Sequence, residues 1–283
     1  MLKTSMPSST FSAFALNWRY ASASPLQPIV TISLYLPLAF LLRKAVLKRT
    51  DGRGLNLGLV LPLHNFLLLL ASLIMFVGLF SAVVADASQN GIHSTLCRET
   101  AGTLGGIWIW CYLFYLSKYY ELLDTFLLAL RAKPLTGLHL FHHAVVVPLF
   151  WLMLELDATN LWVAALLNTA VHIPMYYYFA VESLPADSFW RGVLPSLRAA
   201  KKWITSVQIT QFYIDIATIA AVDAFLPECR QRLVTLFHQD TWALTKVICI
   251  FAVPAVLIIL FTRFYRQSYR TSRVSEALKK HDN

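Results

Sequence analysis

Three histidines, His139, His142 and His143, form the sequence HLFHH directly before the apolar segment AVVVPLFWLML. If that segment crosses a membrane, the imidazoles lie at a membrane boundary, where ionisable side chains are costly and usually have a function. One helical turn separates His139 from the other two, so at least two of the rings can face one pocket. Such a cluster could bind a metal, relay protons or attack a thioester, and the rest of the chain must decide among these.

The composition indicates a polytopic membrane protein. Of the 283 residues, 57% are hydrophobic and 14% are charged, whereas about a quarter are charged in soluble domains. The mean hydropathy is +0.57. The N-terminal sequence MLKTSMPSSTFSAFALNWRY lacks a continuous apolar stretch, so no cleavable signal peptide is predicted. The formal charge of +9 does not indicate nucleic-acid binding, because most lysines and arginines lie in short loops between apolar segments.

Seven segments are predicted to cross the membrane, since about 20 apolar helical residues span a bilayer. They cover residues 26–43, 57–84, 105–130, 140–156, 159–180, 203–225 and 242–262. The first segment is the weakest because three prolines interrupt it, and the second is long enough to tilt. The predicted fold is therefore an all-α membrane protein with seven transmembrane helices.

The loop charges orient these spans. Lysine and arginine concentrate in the first, third and fifth loops and in the C-terminal tail, while the other loops are less basic. The positive-inside rule therefore places the N-terminus in the lumen and the C-terminus in the cytosol, which requires an odd number of spans. We predict a lumenal segment at 1–25, a membrane domain at 26–262 and a basic cytosolic tail at 263–283.

Four spans carry polar side chains at helical spacing in their cytosolic halves. Each polar face alone could be a structural ion pair or interhelical hydrogen bonding. Four faces at one depth instead indicate a single site. The residues concerned, span by span, are Lys118, Glu121, Asp124 and Thr125; His139, His142 and His143; Asn168 and His172; and Thr205, Gln208 and Gln211.

The same four segments carry a resemblance to a known family. They read SKYYELLDT (117–125), LHLFHH (138–143), NTAVHIPMYYY (168–178) and TSVQITQF (205–212). In this order and spacing they are similar to the motifs of the ELO family of fatty-acid elongases, the condensing enzymes of very-long-chain fatty-acid synthesis in the endoplasmic reticulum. The flanking sequences KPLTGLH and AKKWITSVQITQFYID resemble the fungal and other microbial branches.

The resemblance implies a decarboxylative condensation. An acyl-CoA and malonyl-CoA would give a 3-oxoacyl-CoA two carbons longer, with release of CO2 and CoA and with no cofactor or metal. Spans two to seven would surround a narrow acyl tunnel, with span one outside the ring. The implied partners are membrane lipid, the reductases and dehydratase of the elongation cycle, and a second copy of the chain as a candidate.

Site roles follow from the same resemblance, and a neutral imidazole is a competent acyl acceptor near neutral pH. His142 would be the nucleophile and His172 its partner in the malonyl half-reaction, while His139 and His143 would orient the rings or hydrogen-bond the thioester oxygen. The remaining catalytic candidates are the enolate-stabilising donors Asn168, Gln208 and Gln211, and the positioning group Lys118, Glu121 and Asp124. The substrate-binding candidates are Thr125, Tyr176, Tyr178 and Thr205, with the basic residues Arg131, Lys133, Lys201 and Lys202, which could attract CoA phosphates or only set the topology.

Three further features bear on compartment and substrate. Cys97 and Cys229 fall in loops predicted to be lumenal, an oxidising compartment, so we predict a disulfide between them. The C-terminal KKHDN is an imperfect dilysine signal, so the endoplasmic-reticulum placement depends mainly on the resemblance. Family members that favour polyunsaturated chains often carry Gln at the position of Pro134, so this chain leans toward saturated or monounsaturated acyl-CoAs.

Two other classes stay open on the residues alone. A membrane di-iron desaturase or hydroxylase also uses histidine boxes, but only His64, His172 and one box lie at the cytosolic depth. A non-enzymatic seven-helix receptor or retinal protein would use Lys246 as its Schiff-base candidate. That lysine lies near the lumenal end of span seven, where its ammonium can extend to the interface. Iron analysis and a retinal absorbance band would distinguish these classes.

Overall fold

The structure is a computed structural model that describes residues 24–97, 106–156 and 161–281. Within these ranges the chain forms helices and no strand. The helices are α1 Leu26–Arg49, α2 Val60–Asn90, α3 Ile92–Cys97, α4 Gly106–Glu121, α5 Leu123–Leu130, α6 Gly137–Glu155, α7 Leu161–Ser183, α8 Leu194–Phe225, α9 Pro227–Gln239 and α10 Ala243–His281, with a 3₁₀ helix at Phe189–Val193 before α8. Most of the predicted lumenal segment at 1–25 lies outside the described residues. Arg98, Glu99 and Asp157, which are charged residues of the less basic predicted loops, also lie outside them.

Six of the helices contact one another in cyclic order. Helix α2 packs against α7, α7 against α8, α8 against α10, α10 against α6, α6 against α4, and α4 against α2. Contacts between α4 and α7 cross this cycle, so the space between the helices is narrow. Helix α1 stands outside the cycle and packs against α5 and α6.

The outward faces are apolar. Helices α1 and α2 expose large side chains such as Leu41 and Phe66, and apolar surface this extensive is not expected on a protein in water. Helices α1, α2, α6 and the part of α10 up to Tyr269 are each long and apolar enough to cross a membrane, and α8 with α9 forms a bent fifth candidate. The chain is therefore a multi-pass membrane protein with four or five candidate spans by these criteria.

Two helices differ in detail from the predicted spans. The prolines of span one do not interrupt α1: Pro25 and Pro28 lie at its beginning, where proline is tolerated, and only Pro37 lies within it. The continuous span predicted at 105–130 is instead broken at Leu122, between α4 and α5. At this break the backbone bonds run from residue i to i−3, as in a tight 3₁₀ turn.

The end of the molecule away from the histidine cluster is held by covalent and ionic contacts. Cys97 of α3 and Cys229 of α9 form a disulfide, with their Cα atoms 4.9 Å apart, which joins the two cysteines that the sequence analysis pairs. Lys246 of α10 lies 2.9 Å from Glu155 at the end of α6 and 2.7 Å from Asp240. The hydrogen bond from Lys246 lowers the pKa of the Asp240 carboxyl below its ordinary value of 3.8.

Candidate active site

The histidine cluster lies in the first two turns of α6. Thr136 caps this helix, and its side chain accepts a hydrogen bond from the backbone N–H of His139 at 3.3 Å. The ring centroids of His139 and His143 are 4.4 Å apart, and those of His142 and His143 are 5.4 Å apart. The positive end of the α6 dipole thus coincides with the three imidazoles, where it can stabilise negative charge on a ligand.

The cluster faces a cavity of about 460 Å³. The side chains that line it come from α2, α5, α6, α7, α8 and α10, together with residues at the end of α4 and in the loop before α6. Most of the predicted site residues are among them, namely Glu121, Asp124, Arg131, His139, His142, His143, Asn168, His172, Tyr176, Tyr178, Lys201, Thr205, Gln208 and Gln211. The helical spacing, the loop charges and the family resemblance therefore predicted residues that the fold brings together.

Four predicted site residues do not line this cavity. Lys118 and Thr125 lie behind the lining, where both are buried. Lys133 carries an exposed side chain, while its backbone carbonyl accepts a hydrogen bond from Arg43 at 2.8 Å. The Lys202 ammonium lies 5.9 Å from the centre of the Tyr265 ring. Thr125, Lys133 and Lys202, three of the substrate-binding candidates, therefore lie outside the lining of this cavity.

Lys118 forms a buried polar junction between α4 and α7. Its ammonium donates to Glu121 at 2.7 Å and to the side-chain oxygen of Asn168 at 2.8 Å. Because a lysine ammonium can only donate, this contact identifies the Asn168 atom as its oxygen and directs the amide N–H groups elsewhere. Asn168 lines the cavity, so its amide is available as a donor there.

Two carboxylates organise the neighbouring polar groups. Glu121 lies 3.6 Å from Nδ1 of His172, within ion-pair range. Asp124 accepts from Tyr176 at 3.0 Å and contacts Nε2 of His64 at 2.7 Å. The carboxylates therefore sit on either side of the break at Leu122, each beside an imidazole.

His142 resembles His143 in its polar contacts among the described residues. Its Nδ1 is buried and has no hydrogen-bond partner within the described part of the chain. Its ring packs edge-on against Phe261 of α10, with centroids 6.0 Å apart. An imidazole held by packing keeps its nitrogen lone pair for a ligand, which suits a nucleophile.

The chain was compared with known proteins. The profile of the family described as ELO: GNS1/SUR4 matches residues 20–277. The chain is 32% identical over 280 residues to fatty acid elongase sre1 of Dictyostelium discoideum, which covers 95% of this chain and 96% of that protein. It is 31% identical over 240 residues to very long chain fatty acid elongase 5 of Mus musculus, covering 79% and 70% of the two chains.

The chain belongs to the GNS1/SUR4 (ELO) family. A second microbial relative, putative fatty acid elongase 2 of Schizosaccharomyces pombe, is 28% identical over 261 residues, covering 91% of this chain and 67% of that protein. The resemblance inferred from four short motifs is therefore confirmed along nearly the whole chain.

Several cavity residues of this family member were not predicted. Asn65 lines the cavity from α2 and donates to the Phe179 carbonyl and to Ser183, both at 3.2 Å. Phe261 and Phe264 line it from α10. A signal for Asn65 was available, because His64 and Asn65 form a polar pair in the apolar sequence LPLHNFLLLL. The phenylalanines lie in the sequence LFTRFYR, where their apolar type does not distinguish them from lipid-facing residues, so they carry no such signal.

The cavity mouth combines basic and acidic groups. Arg131 and Lys201 line it, and the Lys201 ammonium lies 5.8 Å from the centre of the Tyr178 ring. Glu182, also in the lining, pairs with the exposed Arg198 at 2.9 Å. Two of the four basic residues that are candidates for binding CoA phosphates thus line the cavity.

The alternative classes can be compared with this geometry. Among the described residues, no group of three or more histidine, cysteine, aspartate or glutamate side chains is arranged to hold a metal ion. Lys246, the retinal-attachment candidate, is engaged by Glu155 and Asp240 in an ionic cluster at the helix ends. Neither arrangement favours those two classes.

Proposed function

We propose that this chain is the condensing enzyme of fatty-acid elongation. It joins a long-chain acyl-CoA with malonyl-CoA and produces a 3-oxoacyl-CoA lengthened by two carbons, with CO2 and CoA. The observation that carries this proposal is one membrane cavity lined by His142, His172 and an amide donor, Asn168. Family membership and relatives named as fatty acid elongases support it.

The first half-reaction is acyl transfer to His142. A ring nitrogen attacks the thioester carbonyl, the carbon–sulfur bond breaks, and an acyl-imidazole forms. The imidazole loses its N–H proton, and the departing CoA thiolate takes up one proton, so that CoA leaves as the free thiol. The N-terminus of α6 lies at this point and stabilises the negative charge that develops on the carbonyl oxygen.

The second half-reaction is decarboxylation and carbon–carbon bond formation. Malonyl-CoA loses CO2, and the resulting enolate attacks the acyl carbonyl while the carbon–nitrogen bond to His142 breaks. The released imidazolide takes up one proton from solvent, which restores the neutral imidazole. Side-chain amides around the cavity stabilise the enolate oxygen. One of them is Asn168, whose amide is oriented by the hydrogen bond that its oxygen accepts from Lys118. His172, which lies beside Glu121, assists proton transfer.

The membrane arrangement belongs to the same proposal. All seven predicted segments span the endoplasmic-reticulum membrane, with the N-terminus in the lumen and the C-terminus in the cytosol, and six helices enclose an acyl tunnel. CoA groups enter at the cytosolic mouth, where Arg131 and Lys201 attract their phosphates. The acyl chain extends toward the disulfide-bonded lumenal end, and saturated or monounsaturated chains are preferred. The reductases and dehydratase of the cycle, and a second copy of the chain, are proposed partners.

The test is elongation by purified protein in detergent, with labelled malonyl-CoA and a series of acyl-CoAs. Wild type is expected to form a 3-oxoacyl-CoA, and His142→Ala to reduce this to background. His238→Ala is the matched control, because His238 is an exposed histidine on α9 that does not line the cavity. Incubation with acyl-CoA alone should add one acyl mass to wild type and none to His142→Ala.

The outcomes separate the two parts of the proposal. If wild type elongates no acyl-CoA in the series, the condensing activity is refuted. If His142→Ala elongates as fast as wild type, the activity stands but His142 is not the nucleophile.

A further inference from the structure

A buried chain of hydrogen bonds connects the helix outside the six-helix cycle to the histidine cluster. The Tyr35 hydroxyl on α1 lies 2.6 Å from the Thr125 hydroxyl on α5. The Thr125 hydroxyl in turn lies 2.7 Å from Nε2 of His139 on α6. Tyr35 is 2% exposed and Thr125 is 0% exposed, so water does not compete for these bonds.

The number of available donors determines the direction of these two hydrogen bonds. If Nε2 of His139 carried the proton and donated to Thr125, either the Thr125 or the Tyr35 proton would lack an acceptor, because the structure gives these hydroxyls no further partner among the described residues. Buried donors are rarely left unpaired. The arrangement that satisfies every group has Tyr35 donating to Thr125 and Thr125 donating to His139.

This direction determines the state of His139. Its Nε2 accepts a hydrogen bond, so the ring is neutral and its proton resides on Nδ1. His139 lines the cavity, and Nδ1 has no partner among the described residues. Nδ1–H is therefore the group that His139 can present to a ligand.

We propose that Tyr35 and Thr125 are positioning residues that hold His139 as a neutral donor, and that His139 donates from Nδ1 to the carbonyl oxygen of the acyl thioester. This proposal rests on the proposed function, since it needs an acyl-CoA in the cavity. The oxygen becomes negatively charged as His142 attacks, so the donor binds the transition state more tightly than the ground state.

The positions of the rings support this assignment. His139 and His143 are adjacent at 4.4 Å, and His143 lies beside His142, so donor and nucleophile share one wall of the cavity. A neutral imidazole is suited to this task because it stabilises an oxyanion by hydrogen bonding without adding a charge to a buried cluster. Helix α1 thereby contributes to the site although it lies outside the cycle.

Substitutions of His139 test which nitrogen matters. The amide of Asn can occupy the position of Nδ1, whereas the longer Gln places its amide near the position of Nε2. His139→Gln should lower the single-turnover rate of acyl transfer from acyl-CoA about 10²- to 10³-fold, the effect of losing one oxyanion donor. His139→Asn should stay within about tenfold of wild type, because one donor remains.

Substitutions of the positioning residues Tyr35 and Thr125 test the hydrogen bonds that lead to His139. Tyr35→Phe should slow acyl transfer about three- to tenfold, the effect of one hydrogen bond, and Thr125→Val about a hundredfold through misorientation. Both should lower kcat with little change in the KM for acyl-CoA. Thr125→Ser keeps the hydroxyl and is the matched control, expected within about twofold of wild type. Melting temperatures identify any variant that fails to fold.

The decisive comparison introduces Thr125→Val into both wild type and His139→Asn. Asn cannot reach Thr125, so Thr125→Val should have no further effect there, whereas a general packing defect would slow both backgrounds equally. Equal rates for His139→Asn and His139→Gln, or an unchanged rate in Thr125→Val, would overturn the inference. If wild type itself forms no acyl-enzyme and no 3-oxoacyl-CoA, the failure lies with the proposed function instead.

Discussion

Removal of one partner of the buried Lys118–Glu121 ion pair should strongly destabilise the folded protein. Both side chains are 2% exposed, and the ammonium lies 2.7 Å from the carboxylate. Lys118→Met keeps the length of the side chain and removes its charge. The Glu121 carboxylate would then keep only Ser117 at 3.4 Å and His172 at 3.6 Å as polar neighbours among the described residues.

The expected magnitude follows from desolvation. Removing one partner of a buried pair leaves an uncompensated charge in a low-dielectric interior, which costs about 3–5 kcal/mol. This lowers the ratio of folded to unfolded protein by about 10²- to more than 10³-fold. The double variant Lys118→Met/Glu121→Gln removes both charges and should recover most of the loss, because a neutral pair has no such desolvation cost.

The assay is equilibrium unfolding of the purified protein in detergent, followed by helical circular dichroism. Arg198→Met is the matched control, because the Arg198–Glu182 pair has a similar distance of 2.9 Å but side chains 56% and 36% exposed. It should show no measurable change, as is usual for surface pairs. If Lys118→Met is no more destabilising than Arg198→Met, or if the double variant is no more stable than Lys118→Met, the reasoning is refuted.

Two further predictions concern the disulfide and the loop between α1 and α2. Cys229→Ser, which breaks the disulfide, should lower the free energy of unfolding by about 2–5 kcal/mol, whereas Cys249→Ser at a free, exposed cysteine should not; a non-reducing peptide map with a free Cys229 thiol would contradict this. Gly54→Ala should destabilise more than Gly52→Ala. Both glycines have positive φ, but only at Gly54 would a Cβ atom lie 2.3 Å from a backbone oxygen, that of Arg131. Comparable melting temperatures for the two alanine variants would contradict the second prediction.

Local periodicity predicted the inner wall of the cavity well. Asn168 and His172 are four residues apart, so any helix through them must place both on one face, and the loop charges placed that face at the depth of the histidine cluster. The contributions of Tyr35 and His64 could not be predicted in this way. Each reaches the site from a neighbouring helix, and spacing within one helix carries no information about which helix packs beside it.

Two helices that carry site residues, α4 and α7, are not among the candidate membrane spans of the described residues. Helix α7 is not among the candidate spans, because Asn168, His172 and a run of tyrosines lower its apolar character. Helix α4 covers 16 of the described residues, and it ends at the break at Leu122, between the two carboxylates that line the cavity. Polar side chains and a tight turn are tolerable at membrane depth only where protein, not lipid, surrounds them. In α4 and α7 a poor match to a membrane span therefore accompanies site residues, whereas α6 carries the histidine cluster and still qualifies as a span. The apolar helices α1 and α2 instead expose large hydrophobic side chains on their outer faces.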